Sequence, residues 1–210
     1  MVLTTFADLP IASPLTAEPS NLPPEQQAHA ARAGGGLGEI GDRALLHLRG
    51  SGIEEALGLG EMKIGAVRAV DDGLLIRLRR DEFVLLTGAG EAALAHLTQM
   101  IDAQPITLTD ITYGRCGILL VGARAADVLP KVCGLDFRQF PDRYAAQTSL
   151  AKVRTLIVRA DIDGVPAYGL FVDRSLAAYV WEIVADAAQE FGAIVCSKQG
   201  IDFLRKASVW

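Results

Sequence analysis

The sequence has few cysteines and no long hydrophobic run, and these shortages exclude several classes of protein. No stretch approaches the ~20 consecutive apolar residues that a membrane-spanning helix needs. The N-terminus, MVLTTFADLP, lacks the basic residues and the apolar run of a secretory signal. The three cysteines, Cys116, Cys133 and Cys196, form no CxxC pair and leave one unpaired. We therefore expect a soluble protein of the reducing cytoplasm rather than a secreted disulfide scaffold.

Positive charge is also scarce and dispersed. The chain has 20 Lys and Arg against 25 Asp and Glu, a formal net charge of −5, and the basic residues are scattered singly. Nucleic acid is therefore not an expected partner, because binding it requires a basic stripe or patch to neutralise phosphates. Half of the residues are hydrophobic, which is enough for a sizeable core and for burial against a protein partner.

The sequence contains no local pattern of catalytic or metal-binding residues. The histidines, His29, His47 and His96, are far apart and show none of the spacings of a metal site. No cysteine lies beside a histidine, and no GxSxG or GxxxxGK[ST] motif is present. We therefore predict no catalytic residue, no cofactor-binding residue and no metal ligand in this chain.

A glycine-rich stretch and several carboxylates have ordinary structural interpretations. Gly88–Gly90 follows a predicted strand and opens a predicted helix, but it lacks the third glycine and the later acidic residue of a dinucleotide site. Asp71-Asp72 and the Asp161/Asp163 pair lie in predicted turns, where carboxylates usually bind local amides or solvent. These residues are therefore assigned to turns rather than to phosphate binding or acid–base chemistry.

Residues 1–43 differ in composition from the rest of the chain. Five prolines occur before residue 25, and an Ala-rich piece leads into Gly34-Gly35-Gly36. Such a segment cannot build its own core, because proline removes backbone donors and a glycine run is entropically expensive to order. We predict a Pro/Gly-rich N-terminal arm that is either a disordered leader or lies along another protein.

Residues 44–210 show regular strand and helix patterns. In the first part, about 44–105, strands are predicted near 45–48, 66–70, 74–79 and 83–87, and helices at 51–57 and 92–101. In the second, about 106–210, strands are predicted at 117–121, 153–160 and 168–172, and helices at 123–132 and 175–191. Pro130 should end the first of these helices near Val128, and Ser175 is a candidate N-cap of the second. The repeated β-α-β-β-α order predicts an α+β body of two similar halves.

A series of fragments between Asp110 and Gly192 resembles the γ subunit of heterotetrameric sarcosine oxidase. Their order and spacing over one continuous stretch are more specific than any single fragment. The fragments are DITYGR (110–115), LVGARA (120–125), CGLD (133–136), FP (140–141), QT (147–148), VDRSLAAYVW (172–181) and DAAQEFG (186–192).

Both halves are also similar to the folate-binding module of the glycine-cleavage T-protein (aminomethyltransferase) superfamily, which the tail at 200–205 imperfectly resembles. In that family a glutamate holds the pterin, but the corresponding Gly164–Leu170 contains no carboxylate. The family's Asn-Ala segment and catalytic Asp are replaced by Leu86–Glu91, where Glu91 is a conceivable substitute. Residues 196–200 likewise do not reproduce the cysteine box of folate-dependent iron–sulphur maintenance proteins.

The resemblance implies a non-catalytic, gamma-type subunit of a sarcosine-oxidase-like flavoprotein complex in the cytoplasm. That complex demethylates sarcosine oxidatively, with FAD, FMN, NAD and tetrahydrofolate on partner subunits and none in this chain. The expected partner is the large, alpha-type flavoprotein subunit, and the candidate contact features are the N-terminal arm, Phe137, Phe140 and Trp210, although both phenylalanines are equally consistent with the core. The alternatives are a stand-alone tetrahydrofolate-binding aminomethyltransferase-like protein and a scaffold subunit of another complex.

Overall fold

The protein is described from a computed structural model that covers residues 13–15, 17–71, 73–206 and 210. Two regions of the described chain have the same succession of elements. The first contains β2 (Ala44–Gly50), α2 (Ile53–Ala56), β3 (Val67–Val70), β4 (Gly73–Arg79), β5 (Glu82–Thr87), α3 (Gly90–Met100) and β6 (Ile106–Asp110). The second contains β7 (Arg115–Val121), α4 (Ala125–Val128), β8 (Tyr144–Leu150), β9 (Val153–Arg159), β10 (Ala167–Asp173), α5 (Ala177–Gln189) and β11 (Ile194–Val195). Helix α1 (Pro24–Ala33) and strand β1 (Gly36–Ile40) precede them, and α6 (Lys198–Arg205) follows.

Each region forms its own sheet, and the equivalent strands follow the same order in both sheets. The first sheet has the order β3-β4-β5-β2-β6, and the second has β8-β9-β10-β7-β1-β11. The second sheet therefore repeats the order of the first, with β1 inserted between its first and last strands. Strand β1 runs antiparallel to β7 and parallel to β11. The predicted α+β class with two similar halves is confirmed, and each half has two strands more than the predicted β-α-β-β-α order.

The two sheets pack face to face, and helices cover their outer faces. Alternating residues along each strand point into different cores, as expected for a period of two. In β7, Leu119 and Val121 lie in the core between the sheets, whereas Ile118 and Leu120 face the layer of α4 and α5. The outer face of the five-stranded sheet has a smaller core, which includes Phe83. The body is thus a four-layer helix–sheet–sheet–helix arrangement.

Equivalent glycines end the first strand of each half. Gly50 has φ +150° and Gly122 has φ +133°, and each is followed by a one-turn helix, α2 or α4. A Cβ at Gly50 would lie 2.1 Å from the carbonyl oxygen of Pro105, and one at Gly122 would lie 2.4 Å from that of Ala31. The same turn, with the same close approach of two backbone segments, therefore occurs in both halves. Both positions need glycine because a Cβ would clash there.

The prediction that residues 1–43 form an arm without structure of its own is wrong for residues 24–40, which belong to the folded body. Residues 24–33 form a helix, and residues 36–40 form a strand inside the six-stranded sheet. Composition concealed this because β1 is held by β7 and β11, which lie far away in the sequence. The buried Gln27 amide strengthens the attachment: its nitrogen donates to the carbonyls of Ser20 and Leu22, and its oxygen accepts from the backbone and hydroxyl of Ser197. The part of the arm before residue 13 lies outside the described residues.

Several element boundaries also differ from the prediction. Pro130 ends the α4 helix at Val128 as predicted, and a 3-10 turn follows. Helix α5 begins at Ala177 without a side-chain cap, so the predicted capping role of Ser175 is wrong. Strand β6 falls on the second-half side of the predicted boundary near 105, but it pairs with β2 in the first sheet. No helix within the described ranges is long and apolar enough to cross a membrane.

Candidate functional site

A polar cleft lies at one end of the sandwich, where the end of β1 and the start of β2 meet β7 and β10. Its volume is about 200 Å³. Residues from three segments of the chain, 39–45, 112–117 and 171–174, line it. The polar and charged lining residues are Glu39, Arg43, Thr112, Tyr113, Arg115, Cys116 and Arg174.

Two arginines of the cleft, Arg43 and Arg115, are held by groups of the protein itself. Arg115 forms an ion pair with Asp173, with 2.9 Å between Nη1 and the carboxylate oxygen. Arg43 donates a hydrogen bond to the backbone oxygen of Trp210. Three guanidinium groups against Glu39 give the lining a positive formal charge within an acidic protein. The cleft can attract an anion, but it offers no group that would attack one.

Cys116 is the thiol of the cleft, and its surroundings keep it protonated. Its Sγ lies 3.9 Å from Oε1 of Glu39. Burial raises the pKa of the thiol, and the charge of Glu39 adds to this, so that the pKa reaches about 12 despite the opposing charge of Arg174. Because the thiolate is the reactive form, Cys116 is a packing residue and not a nucleophile at neutral pH.

A second cavity of about 270 Å³ adjoins the cleft and shares Leu45, Arg115 and Phe171 with it. It is also lined by His47, whose Nε2 lies 3.0 Å from Oε1 of Glu82. His47 shows no metal-site spacing in the sequence, and in the structure its partner lies on the neighbouring strand. The pair spans strands β2 and β5, and both residues line the cavity.

The remaining residues considered from the sequence are not brought together. His29 and His96 are exposed on different helices, and within the described part of the chain no three His, Cys, Asp or Glu side chains are grouped as metal ligands. Cys133 and Cys196 are buried in different cores, and burial raises the pKa of Cys196 to about 11. Exposed Glu91 lies in the first turn of α3, which Gly90 opens.

The predicted turn carboxylates have local partners or face solvent. Asp161 accepts hydrogen bonds from Nε and Nη2 of Arg159 at 2.8 and 2.9 Å, and Asp163 forms an ion pair with Arg32 at 2.8 Å. Asp71 is exposed, and Asp72 lies outside the described residues.

The segment that the resemblance aligns with the family's pterin motif contains packed apolar residues. Gly164–Leu170 leads into β10, where Tyr168 is fully buried on the outer face of the sheet. On the inner face, Trp210 packs against Gly169, so closely that a Cβ there would lie 2.4 Å from the indole. Its Nε1 donates to the carbonyl oxygen of Ala160. The residues present therefore do not fit a pterin at this segment, because no carboxylate is available and an indole fills the adjacent space.

Phe137, Phe140 and Trp210 lie in the core, so they are not exposed contact residues. For the two phenylalanines this agrees with the core alternative. The three side chains are 0%, 6% and 0% exposed, in that order. Phe137 and Phe140 pack against the ring of Tyr168, with centroids 5.8 and 6.3 Å away. The large hydrophobic side chains that are exposed in the described chain are Leu22, Ile64, Tyr113, Leu176, Tyr179 and Phe203.

The family model of the GCVT N-terminal domain matches residues 59–208. The chain belongs to this family. The match covers both halves of the body, which agrees with the single arrangement of layers described above.

The curated relatives of this GCVT-domain chain include a sarcosine oxidase subunit alpha from Corynebacterium sp. (strain P-1), which is 27% identical over 86% of this chain. They also include an aminomethyltransferase from Acidobacterium capsulatum, which is 24% identical over 85% of this chain. The aligned regions span 21% of the first relative and 53% of the second. The chain thus spans only a part of the length of these relatives.

Solved structures show the same relationship. A chain of the heterotetrameric sarcosine oxidase from Corynebacterium sp. U-96, solved in complex with pyrrole 2-carboxylate, matches with 27% identity and a TM-score of 0.68. That match covers 80% of this chain and 92% of the other. The aminomethyltransferase T of the glycine cleavage system from Bartonella henselae, at 20% identity, shares the fold with a TM-score of 0.72 over 92% of this chain and 55% of its own.

Sequence reasoning did not find the polar cleft. Its arginines come from three segments, at 43, 115 and 174, and none of them stands in a recognisable motif. They meet only because the ends of β1, β7 and β10 adjoin in the six-stranded sheet. A signal was available in principle, since Arg115 and Arg174 flank the two central strands of that half.

Proposed function

We propose that this chain is a non-catalytic, gamma-type subunit of a heterotetrameric flavoprotein complex of the sarcosine oxidase type. The carrying observation is the length relationship in the match to heterotetrameric sarcosine oxidase. Because 80% of this chain covers 92% of that chain, the matched subunit has a similar length. The match spans 21% of a sarcosine oxidase subunit alpha but 92% of the solved chain, and this supports a subunit of the kind seen in that solved chain.

The chemistry of the described residues supports a non-catalytic role. The thiol in the polar cleft has a raised pKa, and Arg43 and Arg115 of the cleft are held by internal partners. The Gly164–Leu170 segment has no carboxylate, and Trp210 fills the space at Gly169. A buried polar ligand edge without its acceptor would remain unsatisfied, which disfavours pterin binding here.

In this proposal the cofactors belong to other subunits. FAD, FMN, NAD and tetrahydrofolate are held by partner chains, which demethylate sarcosine oxidatively and transfer the one-carbon unit. This chain supplies a folate-fold body that binds the large, alpha-type flavoprotein subunit. We propose a cytoplasmic location for the complex.

Affinity purification of the tagged full chain from its native cells, with mass spectrometry, tests the proposal. We expect large flavoprotein subunits to co-purify with this chain in a fixed ratio. The purified complex should show the absorption band of a protein-bound flavin. A preparation whose partners are abundant but contain no flavoprotein would indicate the scaffold of another complex and contradict the proposal.

The second candidate is a stand-alone tetrahydrofolate binder, favoured by the aminomethyltransferase relative that covers 85% of this chain. Calorimetric titration of the purified chain with tetrahydrofolate separates the two. Saturable micromolar binding by the isolated chain would support the second candidate, whereas no heat of binding agrees with the first.

A further inference from the structure

An apolar groove on the outer face of the five-stranded sheet is left open by the described chain. Helix α3 forms one wall, and the loop that follows α2 forms the other. The groove has a volume of about 470 Å³, and its lining includes Leu57, Leu59, Leu75, Leu85, Ala92 and Met100. Ile64, on the same loop, is 59% exposed, the highest value among the large hydrophobic side chains that the structure describes.

The second half shows what fills the corresponding face when the chain itself covers it. There α5 buries six side chains, including Trp181 and Val184, and the loop after α4 inserts fully buried Phe137. In the first half, Leu97 is the one buried residue of α3. Because the two halves share their strand order, the groove is the place where bulky apolar cover is missing.

The charges beside the groove favour a basic partner. Asp71 lines it, and exposed Glu55 and Glu61 lie within two residues of Leu57 and Leu59. On the same side, Arg68 is two residues from the lining residue Val70 and Lys63 is further along the loop. His96 is the ionisable lining residue of the helix wall. Within two residues of the groove lining, carboxylates therefore outnumber cations along the chain.

We propose that this groove is the docking site for a helix of the large partner subunit, with an aromatic or aliphatic face and Lys or Arg along one edge. The inference rests on the proposed function, since it assigns a surface to the subunit contact. Apolar side chains at the centre of such a contact would supply affinity, and the rim charges would orient the partner and speed its approach. A second copy of this acidic chain is disfavoured as occupant by the same rim.

The test compares Ala92→Glu with Ala95→Glu in the tagged full chain, expressed in its native cells. Both residues are exposed alanines of α3, but only Ala92 lines the groove. Alanine and glutamate are both good helix formers, so both variants should fold, and circular dichroism with a thermal scan checks this. We expect Ala92→Glu to reduce the co-purified flavoprotein at least tenfold, because a carboxylate in a closed apolar contact is unpaired. Ala95→Glu should retain the wild-type amount.

A second pair tests the rim. Glu61→Lys should reduce recovery about threefold or more at low salt and less at 0.5 M NaCl, because exposed charges are screened by salt. Glu182→Lys, on the exposed side of α5, is the matched control and should have no effect.

The outcomes separate this inference from the proposed function. If the wild type recovers flavoprotein and Ala92→Glu recovers equally much, the groove is not the docking site, although the subunit function stands. If the wild type recovers none, both proposals fall. If light scattering instead shows a homodimer that Ala92→Glu dissociates, a second copy occupies the groove and the assignment of the partner is wrong.

Discussion

Arg77 and Arg159 occupy equivalent positions in the two halves of the molecule. Each lies on the third strand of its half, directly across from an aromatic residue of the fourth strand. Arg77 pairs with Phe83, with the guanidinium carbon 5.4 Å from the ring centroid. Arg159 pairs with Tyr168, at 5.6 Å. The internal repeat thus extends from strand order to individual side-chain contacts.

Each of these arginines also fastens the loop that precedes the second strand of its half. Arg77 donates to the carbonyl oxygen of Met62, and Arg159 donates to that of Phe140. Their carboxylate partners differ: Glu54 comes from α2, whereas Asp161 follows two residues after Arg159. In both halves one guanidinium satisfies a carboxylate and a loop carbonyl that would otherwise lose their hydrogen bonds on burial.

Replacing Arg77 should destabilise the fold far more than replacing its neighbour Arg79. Arg77→Ala removes a donor to the Met62 carbonyl and the charged partner of the partly buried Glu54 carboxylate, to which the backbone amide of Met62 still donates. We expect a loss of about 2–3 kcal/mol in the free energy of unfolding. Arg79 is 63% exposed in its pair with Glu82, so Arg79→Ala should cost less than about 0.5 kcal/mol. Urea unfolding followed by circular dichroism measures both. Equal losses would show that the buried contacts of Arg77 are not important.

The glycine that ends β7 should not tolerate a side chain. Gly122→Ala places a methyl group against the carbonyl oxygen of Ala31 at positive φ, and we expect a loss of about 3 kcal/mol or more. Gly58 also has positive φ but has open space around it, so Gly58→Ala should cost only about 1–2 kcal/mol. Thermal unfolding of the two variants gives the comparison. A Gly122→Ala protein as stable as Gly58→Ala would mean that the backbone at Ala31 moves freely.

Trp210 should be a major stabilising residue of the core between the sheets. It is fully buried and packs on Gly169, so Trp210→Ala should lower the unfolding free energy by about 3–5 kcal/mol. Phe203→Ala is the matched control, since this ring on α6 is 40% exposed and should contribute less than about 1 kcal/mol. Guanidinium unfolding measures both. The prediction fails if the two aromatic truncations have similar effects.

The buried thiols should be unreactive in the folded protein and should make it sensitive to alkali. Burial raises the pKa of Cys116 from 9.0 to about 12 and that of Cys196 from 9.0 to about 11. Above pH 9 the unfolded chain loses these protons while the folded chain keeps them, so stability should fall as the pH rises from 9 to 11. Below pH 9 this contribution is constant.

Two measurements check the thiol prediction. Ellman's reagent at pH 8 should react with neither Cys116 nor Cys196 in the native protein and with all three cysteines in urea. The urea midpoint should fall less between pH 9 and 11 in Cys116→Ala than in the wild type, and this control separates the thiol from other alkaline groups. Rapid labelling of native Cys116 would contradict the account of its surroundings.

The sequence predicted best those elements whose contacts are local. Strands β4 and β5 form a hairpin of mostly buried residues joined by a short turn, and α4 ends at Val128, just before Pro130. Strand β8, in contrast, is an edge strand with exposed polar positions, so its pattern did not resemble a strand. Strand β1 was missed because its stability comes from pairing with β7 and β11, which no window of sequence contains.

The candidate site was less predictable than the fold. Local reasoning assigned the turn carboxylates to local partners, and Asp161 does pair with Arg159 two residues before it. That His47 belongs to no reactive group stays a prediction. The same reasoning misplaced Trp210 as an exposed residue and left Phe137 and Phe140 open between core and surface. An aromatic residue in a loop or near a terminus has no periodic context that distinguishes the two. The cleft arginines required the three-dimensional meeting of distant strand ends.

The pairing of Gly36 with Ile194 sets a limit on the order in which this protein can fold during synthesis. The six-stranded sheet cannot complete its last parallel pair until Ile194 and Val195 have left the ribosome, whereas the five-stranded sheet needs nothing beyond Asp110. The nascent chain therefore has one half able to collapse early and another with an unsatisfied edge that waits for its final strand. Contacts so distant along the chain are slow to form, so refolding should show a slow final phase in which the second sheet closes.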